Sequence, residues 1–465
     1  MRNPVAFRAR ASRRCLVLLL MATTVAHAGD GDPDPTFSSD GLALHEWPAD
    51  TIQAETTTGA VEADGSVIAA GWISYPSGQQ QFATTVLRYR RDGTPDPGFG
   101  VNGLAKFDLD PAPQINETLY AVFPRADHSL LMLAGIQNPG QMQFRPVLVS
   151  VRANGTLDTT FGPGGMRAID LSRWTDSDVS MRTAAMQPDG KIVMAGINIY
   201  PDSYNVAVGR ILPDGSLDTS FSSDGWRELG GLSAYDWVPE AIAFDDIGRI
   251  LIAGRAAASA GDRPVVFRIS AAGEPDNSFG QYGDGARVLE DLQGDWTARA
   301  IVATRRIVNG GFGARRLFLA ISASSPNRTA IAAINDNGTL ATTFGDDGLV
   351  DLSREEGSRI TALAMRDDQR LVAAGFIDPN GSGTGTDVYV ARMDFSGNPD
   401  PTFDGNGVAR YELEPVGTTY DSVAKMLLSA QRPVVIGAAY NNTMPRSYSA
   451  VLRLNSDAIF ADDFD

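Results

Sequence analysis

The chain has 465 residues, with 39 lysines and arginines against 56 aspartates and glutamates, and a net charge of −17. An acidic chain is a poor partner for nucleic acid or for an anionic membrane surface, because phosphates attract positive surfaces. The single cysteine, Cys15, excludes an internal disulfide. With only three histidines, a histidine-rich metal site and most nucleophile–base pairs are also excluded.

Residues 1–28 form a predicted signal peptide. They contain five arginines and no acid, then the apolar run 16–22, and they end on Ala-His-Ala. This order of basic, apolar and small residues is typical of a secretory signal, with cleavage expected after Ala28. The apolar run is too short to span a bilayer, so we expect no integral membrane segment after cleavage.

The protein is therefore expected to be exported, to the periplasm, the cell surface or the extracellular space. The adjacent Arg13 and Arg14 also resemble a twin-arginine signal, which leaves the export route open. Removal of residues 1–28 would leave 34 bases against 56 acids, a net charge of −22. It would also leave only His45 and His128 among the histidines.

A Phe preceded six residues earlier by Gly recurs along the whole chain, and successive copies lie 58 to 65 residues apart. Self-similarity at a nearly fixed period is the mark of a repeat architecture. The seven copies are Phe37, Phe99, Phe161, Phe221, Phe279, Phe344 and Phe403.

Each repeat contains the pattern of four short antiparallel strands. In the first, residues 60–71 (AVEADGSVIAAG) read as a hairpin, with strand A around Ala60 and strand B at 67–70. A third apolar run, 85–89, predicts strand C, and 96–107, which includes Phe99, predicts strand D. Short, evenly spaced strands with periodic Gly and aromatic residues indicate a propeller.

We therefore predict an all-β fold, a single seven-bladed β-propeller over residues 29–457 with four antiparallel strands per blade. Residues 31–44 would supply strand D of the last blade and close the ring; the alternative is an open solenoid with capped ends. The A–B and C–D turns would share one rim. The longer and more variable D–A and B–C loops would share the other, and there we expect any binding site.

The motifs 157–162 (LDTTFG) and 187–193 (QPDGKIV), repeated at a period of about sixty residues, resemble the delta-60 repeat family of secreted bacterial β-propeller proteins. The resemblance implies a propeller in an exported protein, and it supplies no catalytic residues. Two departures stand out: Ala341 replaces the Asp of the Phe motif, and 305–316 replaces the fifth A–B turn. That hairpin is predicted to be long and irregular.

The six motif aspartates could form a ligand set or could fix the turns before strand D; we expect the second role, because Asp accepts local backbone hydrogen bonds. They are Asp34, Asp96, Asp158, Asp218, Asp276 and Asp400. Residues 30–34 (DGDPD) alternate carboxylates as a calcium loop does, although the full loop pattern is missing. Calcium is the one cofactor we consider. The alternative is that these aspartates only form ordinary turns.

Aromatic rings beside carboxylates in the D–A loops suggest a surface for sugars or cationic groups. The alternative is that each ring covers the end of its own blade core. The candidate ligand-binding residues are Trp174, Asp236, Trp237, Asp295, Trp296, Tyr420 and Asp421.

Arginines concentrate in the irregular hairpin of blade five, at Arg305, Arg306, Arg315 and Arg316. They could dock an acidic partner or the acidic, aromatic C-terminal tail 458–465. A simple solvated hairpin is the alternative.

No catalytic signature emerges, and we expect a monomeric, non-enzymatic scaffold that binds a glycan or a protein through the variable-loop rim. A carbohydrate-active hydrolase or lyase is the first alternative. It would use carboxylates near the channel, such as Glu62 and Glu240. A purely structural cell-surface protein is the second.

Overall fold

The computed structural model describes residues 29–456 except 49–50, 52, 76–81, 111–115, 138–143, 175–177, 231–234, 260, 281–283, 293, 305–314, 325–326, 354–357, 379–384, 414–418 and 442–445. The predicted signal peptide, 1–28, and the predicted tail, 458–465, lie outside the described residues.

The described residues form seven four-stranded antiparallel sheets, each a blade. Blade one is β2 (Gln53–Val61), β3 (Val67–Ser74), β4 (Phe82–Tyr89) and β5 (Leu104–Phe107). Blade two is β6 (Asn116–Pro124), β7 (Leu130–Gln137), β8 (Arg145–Val151) and β9 (Met166–Ala168), preceded by a 3₁₀ turn at Pro163–Gly165. Blade three is β10 (Asp178–Met186), β11 (Ile192–Ile199), β12 (Tyr204–Ile211) and β13 (Trp226–Leu229).

Blade four is β14 (Asp236–Phe244), β15 (Ile250–Ala257), β16 (Arg263–Ile269) and β17 (Ala286–Val288). Blade five is β18 (Trp296–Ala303), β19 (Arg316–Ser324), β20 (Asn327–Asn335) and β21 (Leu349–Asp351). Blade six is β22 (Arg359–Met365), β23 (Leu371–Ile377), β24 (Asp387–Met393) and β25 (Val408–Tyr411). Blade seven is β26 (Thr419–Ser429), β27 (Arg432–Asn441), β28 (Arg446–Arg453) and β1 (Leu42–Glu46).

The ring closes through the N-terminal segment, as predicted. β1 pairs with β28 antiparallel, from Leu42 opposite Leu452 to Glu46 opposite Tyr448. The two ends of the described chain thus share one sheet, which leaves the propeller without an open edge between its first and last blades.

The hydrophobic core lies between blades. Residues of β3 alternate in direction: Val67 and Ala69 pack toward blade seven, whereas Ile68 and Ala70 pack toward blade two. Because both faces of a blade are covered, its second strand is apolar at nearly every position and needs no polar alternation. The described residues contain no helix long and apolar enough to cross a bilayer.

Strand D is shorter than predicted. β5 begins at Leu104, whereas 96–103 folds as turns, with positive φ at Asn102 and Gly103. Phe99 is nevertheless fully buried, in the core between blades one and two. The motif Phe is therefore an interblade core residue at the end of a turn and not a strand residue.

Blade five has the predicted longer A–B connection. β18 ends at Ala303 and β19 begins at Arg316. Most of that connection, 305–314, lies outside the described residues. The B–C connection of the same blade is short, since β19 ends at Ser324 and β20 begins at Asn327.

Candidate functional site

The motif Asp and Phe belong to a repeated triad completed by an arginine eight residues before the Asp. Nε of Arg210 lies 2.8 Å from Oδ2 of Asp218, and its guanidinium stacks over Phe221, 4.8 Å from the ring centre. Four further triads share this arrangement: Arg88–Asp96–Phe99, Arg268–Asp276–Phe279, Arg392–Asp400–Phe403 and, across the ring closure, Arg453–Asp34–Phe37.

The aspartates also fix the turns. Oδ1 of Asp218 accepts a hydrogen bond from the backbone N–H of Ser220 at 3.1 Å. The other five motif aspartates accept the same bond from the residue two positions later. This confirms the turn role. Blade five, where Ala341 replaces the Asp, also has Ala333 at the arginine position, so both partners are missing together.

In several blades the triad arginine also binds the following blade. Nη1 of Arg88 donates to the carbonyl of Ala153 at 3.2 Å, and Nη1 of Arg453 donates to the carbonyl of Arg91 at 2.6 Å. Arg210 makes the equivalent bond to Ala271. These contacts assign the repeated Arg–Asp–Phe triad to the scaffold, so a ligand-binding site must lie elsewhere.

The predicted ligand tryptophans lie mostly in the interior. Trp237 is fully buried, with its ring 5.2 Å from those of Tyr235 and Phe267, and Trp296 is 4% exposed beneath the guanidinium of Arg328. Trp174 is half-buried against Trp226. In this structure the rings follow the packing alternative.

The carboxylates predicted beside these rings accept backbone hydrogen bonds. Asp236 accepts from the N–H of Tyr204 at 2.9 Å, and Asp295 accepts from the N–H of Asp262 at 3.1 Å. Asp421 is buried and accepts from the N–H of Leu413 at 2.9 Å. Each bond ties a D–A loop or strand start to the preceding blade, which is a structural use of the carboxylate.

Two of the four blade-five arginines are described, and both contact neighbouring blades. Nε of Arg315 lies 2.5 Å from Oδ1 of Asp246 in blade four. Arg316 donates to Oγ1 of Thr343 at 2.6 Å and stacks over Phe395. Arg305 and Arg306 lie outside the described residues, so docking of an acidic partner stays a prediction.

The acidic loop at 30–34 has partners inside the protein. Asp30 pairs with Arg392, and Oδ2 of Asp34 lies 2.7 Å from Nε of Arg453. Asp32 accepts from the backbone N–H of Gly29 at 2.5 Å. The two outer carboxylates therefore neutralise buried arginines where the ring closes.

A second oxygen-rich cluster joins blades one and two. Ligand atoms of Glu62, Asp64 and His128 lie within 4.8 Å of one another, close enough for a metal ion. However, Nη2 of Arg88 lies 2.5 Å from Oε2 of Glu62 and already supplies a cation. His45 lies on β1 and makes an edge-to-face contact with Trp47, with 4.6 Å between the ring centres.

A central cavity of about 590 Å³ is lined by the first strand of every blade. Each of these strands has a β-bulge at the equivalent position. A bulge inserts one extra residue and re-aims its side chain. The seven bulged residues, which we call the bulge ring, are Thr57, Tyr120, Arg182, Glu240, Arg299, Thr361 and Ala424.

The bulge ring marks the loop-rim end of the cavity, because every lining segment begins with its bulged residue and runs toward the tight-turn rim. Two of its threonines bind the next blade: Oγ1 of Thr57 donates to the carbonyl of Leu119 at 3.0 Å, and Oγ1 of Thr361 donates to that of Val423 at 2.9 Å. These two hydrogen bonds connect neighbouring blades at the bulge ring. The charged residues of the ring therefore determine which ligands the cavity can bind.

Three neighbouring ring members carry charge. Oε1 of Glu240 lies 3.6 Å from Nη2 of Arg182 and 3.4 Å from Nη1 of Arg299. Lys425, directly after the ring residue of blade seven, also faces the cavity and is exposed to it. Removal from bulk water lowers the pKa of Lys425. The cavity is thus cationic inside an acidic protein.

The structure does not bring together the carboxylates of the enzymatic alternative. Glu240 lines the cavity, whereas Glu62 pairs with Arg88 at the A–B turn of blade one. Among the described lining residues Glu240 is the one carboxylate. A two-carboxylate hydrolysis needs a second such group across the same space.

A cleft of about 610 Å³ opens between blades one and seven, toward the loop rim. Glu55 and Trp72 are directly opposite on β2 and β3, and Tyr420 and Tyr440 are directly opposite on β26 and β27. All four line the cleft. It therefore combines aromatic side chains with a carboxylate, as predicted for a sugar site, but Tyr420 is its only predicted member among the described lining residues.

Sequence reasoning missed Trp72 and Tyr440 because it considered aromatic rings in the D–A loops, whereas these two lie on second strands. A usable signal was present for Trp72: it follows Gly71, the last residue of the hairpin motif, and so lies near the end of the second strand.

Three segments of the chain, 62–99, 187–221 and 248–279, match the model of a family described as a β-propeller domain of unknown function, DUF5122. Each matched segment ends at a motif Phe. These three segments are thus similar to the repeats of a β-propeller family. No curated protein matches the chain.

Several solved structures are similar to this one. A catalytically inactive virginiamycin B lyase from Staphylococcus aureus, solved with quinupristin, is 10% identical over 88% of this chain and 99% of that one, with a TM-score of 0.44. A polysaccharide lyase is 12% identical over 87% and 91%, with a TM-score of 0.48. Prolyl oligopeptidase B from Galerina marginata is 12% identical over 89% and 48%, with a TM-score of 0.40. No functional residue of this chain follows from these similarities.

Proposed function

We propose that this protein is an exported, non-enzymatic β-propeller of the delta-60 repeat type that binds a neutral glycan in the cleft between blades one and seven. The observation that supports the proposal is the pair of facing cross-strand contacts, Glu55–Trp72 and Tyr420–Tyr440. The repeat motifs and the basic, apolar N-terminus support the delta-60 type and export.

The chemistry of the cleft suits a sugar. Tyr440 is 39% exposed and Trp72 is partly exposed, so both rings can offer apolar surface to the C–H groups of a sugar face. Glu55 can accept hydrogen bonds from sugar hydroxyls. Burial raises the pKa of Glu55, as expected for a carboxylate at the wall of a cleft.

The charge of the cleft favours a neutral ligand over an acidic one. Glu55 is the one charged residue among its described lining residues, and the chain as a whole carries −17. An anionic glycan would be repelled both by Glu55 and by the net negative charge of the whole protein. The size of the cleft fits a ligand of one or two sugar units.

The proposal is tested on an array of neutral glycans with the mature protein. We expect retention of at least one glycan, and Trp72→Ala or Tyr420→Ala should weaken binding about ten-fold, because each removes an aromatic contact. Tyr204→Ala is the matched control, since Tyr204 is 40% exposed on another blade and should leave binding unchanged. Equal binding by all variants, or no retained glycan, would overturn the proposal.

A further inference from the structure

We propose that the loop-rim mouth of the central cavity binds a small oxyanion, a ligand bearing a carboxylate, sulfate or phosphate group, through Arg182, Arg299 and Arg359. This site is separate from the glycan cleft and does not depend on it. Arg182 and Arg299 belong to the bulge ring, and Arg359 lies two residues before the ring residue of blade six.

The guanidiniums of this mouth are crowded. Burial is the largest cause that lowers the pKa of Arg299, and Arg359, Arg255 and Arg182 lower it further, whereas Glu240 raises it. The three like charges thus act on Arg299 from blades six, four and three. Nε of Arg299 is buried and has no hydrogen-bond partner among the described residues.

The carboxylates at the mouth do not balance these charges. Arg182 and Arg299 share Glu240, and Nη1 of Arg255 binds Asp262 at 2.7 Å. Arg359 stacks over Phe376 and has no acidic partner in the described part of the chain. Four arginines against two carboxylates leave two positive charges at the mouth.

An oxyanion satisfies both the charge and the geometry. A guanidinium presents a planar fork of donors that matches the oxygens of a carboxylate, sulfate or phosphate. Inside a cavity with restricted water, unbalanced cations repel one another more strongly than on an open surface. The bulges aim the ring side chains into the cavity, and about 590 Å³ is room for a ligand of one or two sugar units or a small organic acid.

The test is calorimetric titration of the full-length mature protein with sodium sulfate, inorganic phosphate and sodium glucuronate, each at constant ionic strength set with sodium chloride. We expect saturable binding of at least one probe. Arg299→Gln and Arg359→Gln should each weaken it about ten-fold or more, because each removes a charge-assisted hydrogen bond.

Two variants sharpen the result. Glu240→Gln removes the competing carboxylate and should tighten binding several-fold. Arg152→Gln is the matched control. Arg152 is 48% exposed and pairs with Asp158 in the C–D turn of blade two, on the rim opposite the bulge ring. It should leave the affinity unchanged. Arg359→Gln tests the proposal even if Arg299→Gln does not fold, because Arg359 has no ion pair with a described residue.

The probes distinguish the sources of the oxyanion. Preference for glucuronate would assign the site to a uronate or another carboxylate, and preference for sulfate or phosphate to the ester of a larger ligand. Either supports the proposal. No saturable binding by the folded protein, or an equal loss in Arg152→Gln and Arg359→Gln, would overturn it. Trp72→Ala should leave oxyanion binding intact, so failure here is separable from failure of the glycan proposal.

Discussion

Gly273 in blade four lies directly against Phe221 in blade three: a Cβ added to Gly273 would lie 2.8 Å from the Phe221 ring. The Gly and the Phe that recur along the sequence therefore meet across blades, each Gly facing the Phe of the repeat before it. The φ of Gly273 is +88°, so the position also needs a left-handed backbone.

This contact predicts a large cost for Gly273→Ala. Gly248 is a matched control, because its φ is +82° but its nearest neighbour, Cβ of Ala271, is 4.0 Å from the added Cβ. We expect Gly248→Ala to lower the free energy of unfolding by about 1 kcal/mol, the backbone cost alone. Gly273→Ala should lower it by about 2 kcal/mol more, because the turn must move away from the ring. Urea denaturation measures both free energies of unfolding. Equal losses for Gly248→Ala and Gly273→Ala would argue against interblade contact as the role of the motif Gly.

The Arg–Asp pair predicts strong coupling. Arg210→Ala leaves Asp218 buried beside Lys191 alone and should cost about 3 kcal/mol. The double variant with Asp218→Ala recreates the alanine pair of blade five, so we expect it to cost about 1 to 3 kcal/mol less than the sum of the single variants.

The exposed pair of Arg152 and Asp158 is the control for this cycle. Its coupling should be indistinguishable from zero, since solvent screens it. A coupling for Arg210 and Asp218 no larger than this would show that the buried ion pair does not stabilise the C–D turn.

Glu117 predicts a pH dependence of stability. Burial raises the pKa of this carboxyl to about 7, against hydrogen bonds from Thr84, Leu109 and Asp110 that lower it. A folded-state pKa above the unfolded value means that the folded state holds the proton more tightly. The contribution of Glu117 is therefore fully present below about pH 4.5 and is lost as the pH rises through about 7, with an upper limit on the order of 3 kcal/mol.

Glu117→Gln should flatten this slope in urea denaturation midpoints measured across that window. The exposed Glu46→Gln provides the control and should keep the slope of the parent protein. An unchanged slope in Glu117→Gln would place the titrating group elsewhere.

The acidic loop predicts little response to calcium. Because Asp30 and Asp34 pair with Arg392 and Arg453, a calcium ion would have to displace two buried guanidiniums. We expect the thermal midpoint to be the same with calcium and with chelator. A midpoint that rises with calcium, and that Asp32→Asn abolishes, would establish an ion at this loop.

The sequence was sufficient for the blade count, the strand order and the ring closure, because these follow from the spacing of a motif that recurs in every repeat. The Phe–Gly contact was not predictable in the same way. It joins residues of successive repeats, such as Phe221 and Gly273, and a period does not say which copies touch. The Arg–Asp spacing of eight residues was visible, as in Arg210 and Asp218, but its meaning depends on the turn that folds the Asp back onto strand C.

The binding candidates were harder to predict for a physical reason. Trp237 and Tyr420 both lie at the start of a first strand, and the sequence does not show which ring turns into the core. The bulge ring left no common residue type, since Thr57, Tyr120 and Glu240 share a backbone position and not a chemistry. A bulge is set by the pairing of two strands and is invisible in one strand alone.

The bulged position has a consequence for how such a protein can change. Its side chain leaves the pleat, so sheet pairing places few demands on residue type there. Threonine, tyrosine, arginine, glutamate and alanine all occupy it in this one molecule. Where the ring residue makes no side-chain hydrogen bond to the next blade, as at Ala424, a single exchange would therefore alter the cavity mouth while the scaffold stays intact, so the lining can diverge one blade at a time.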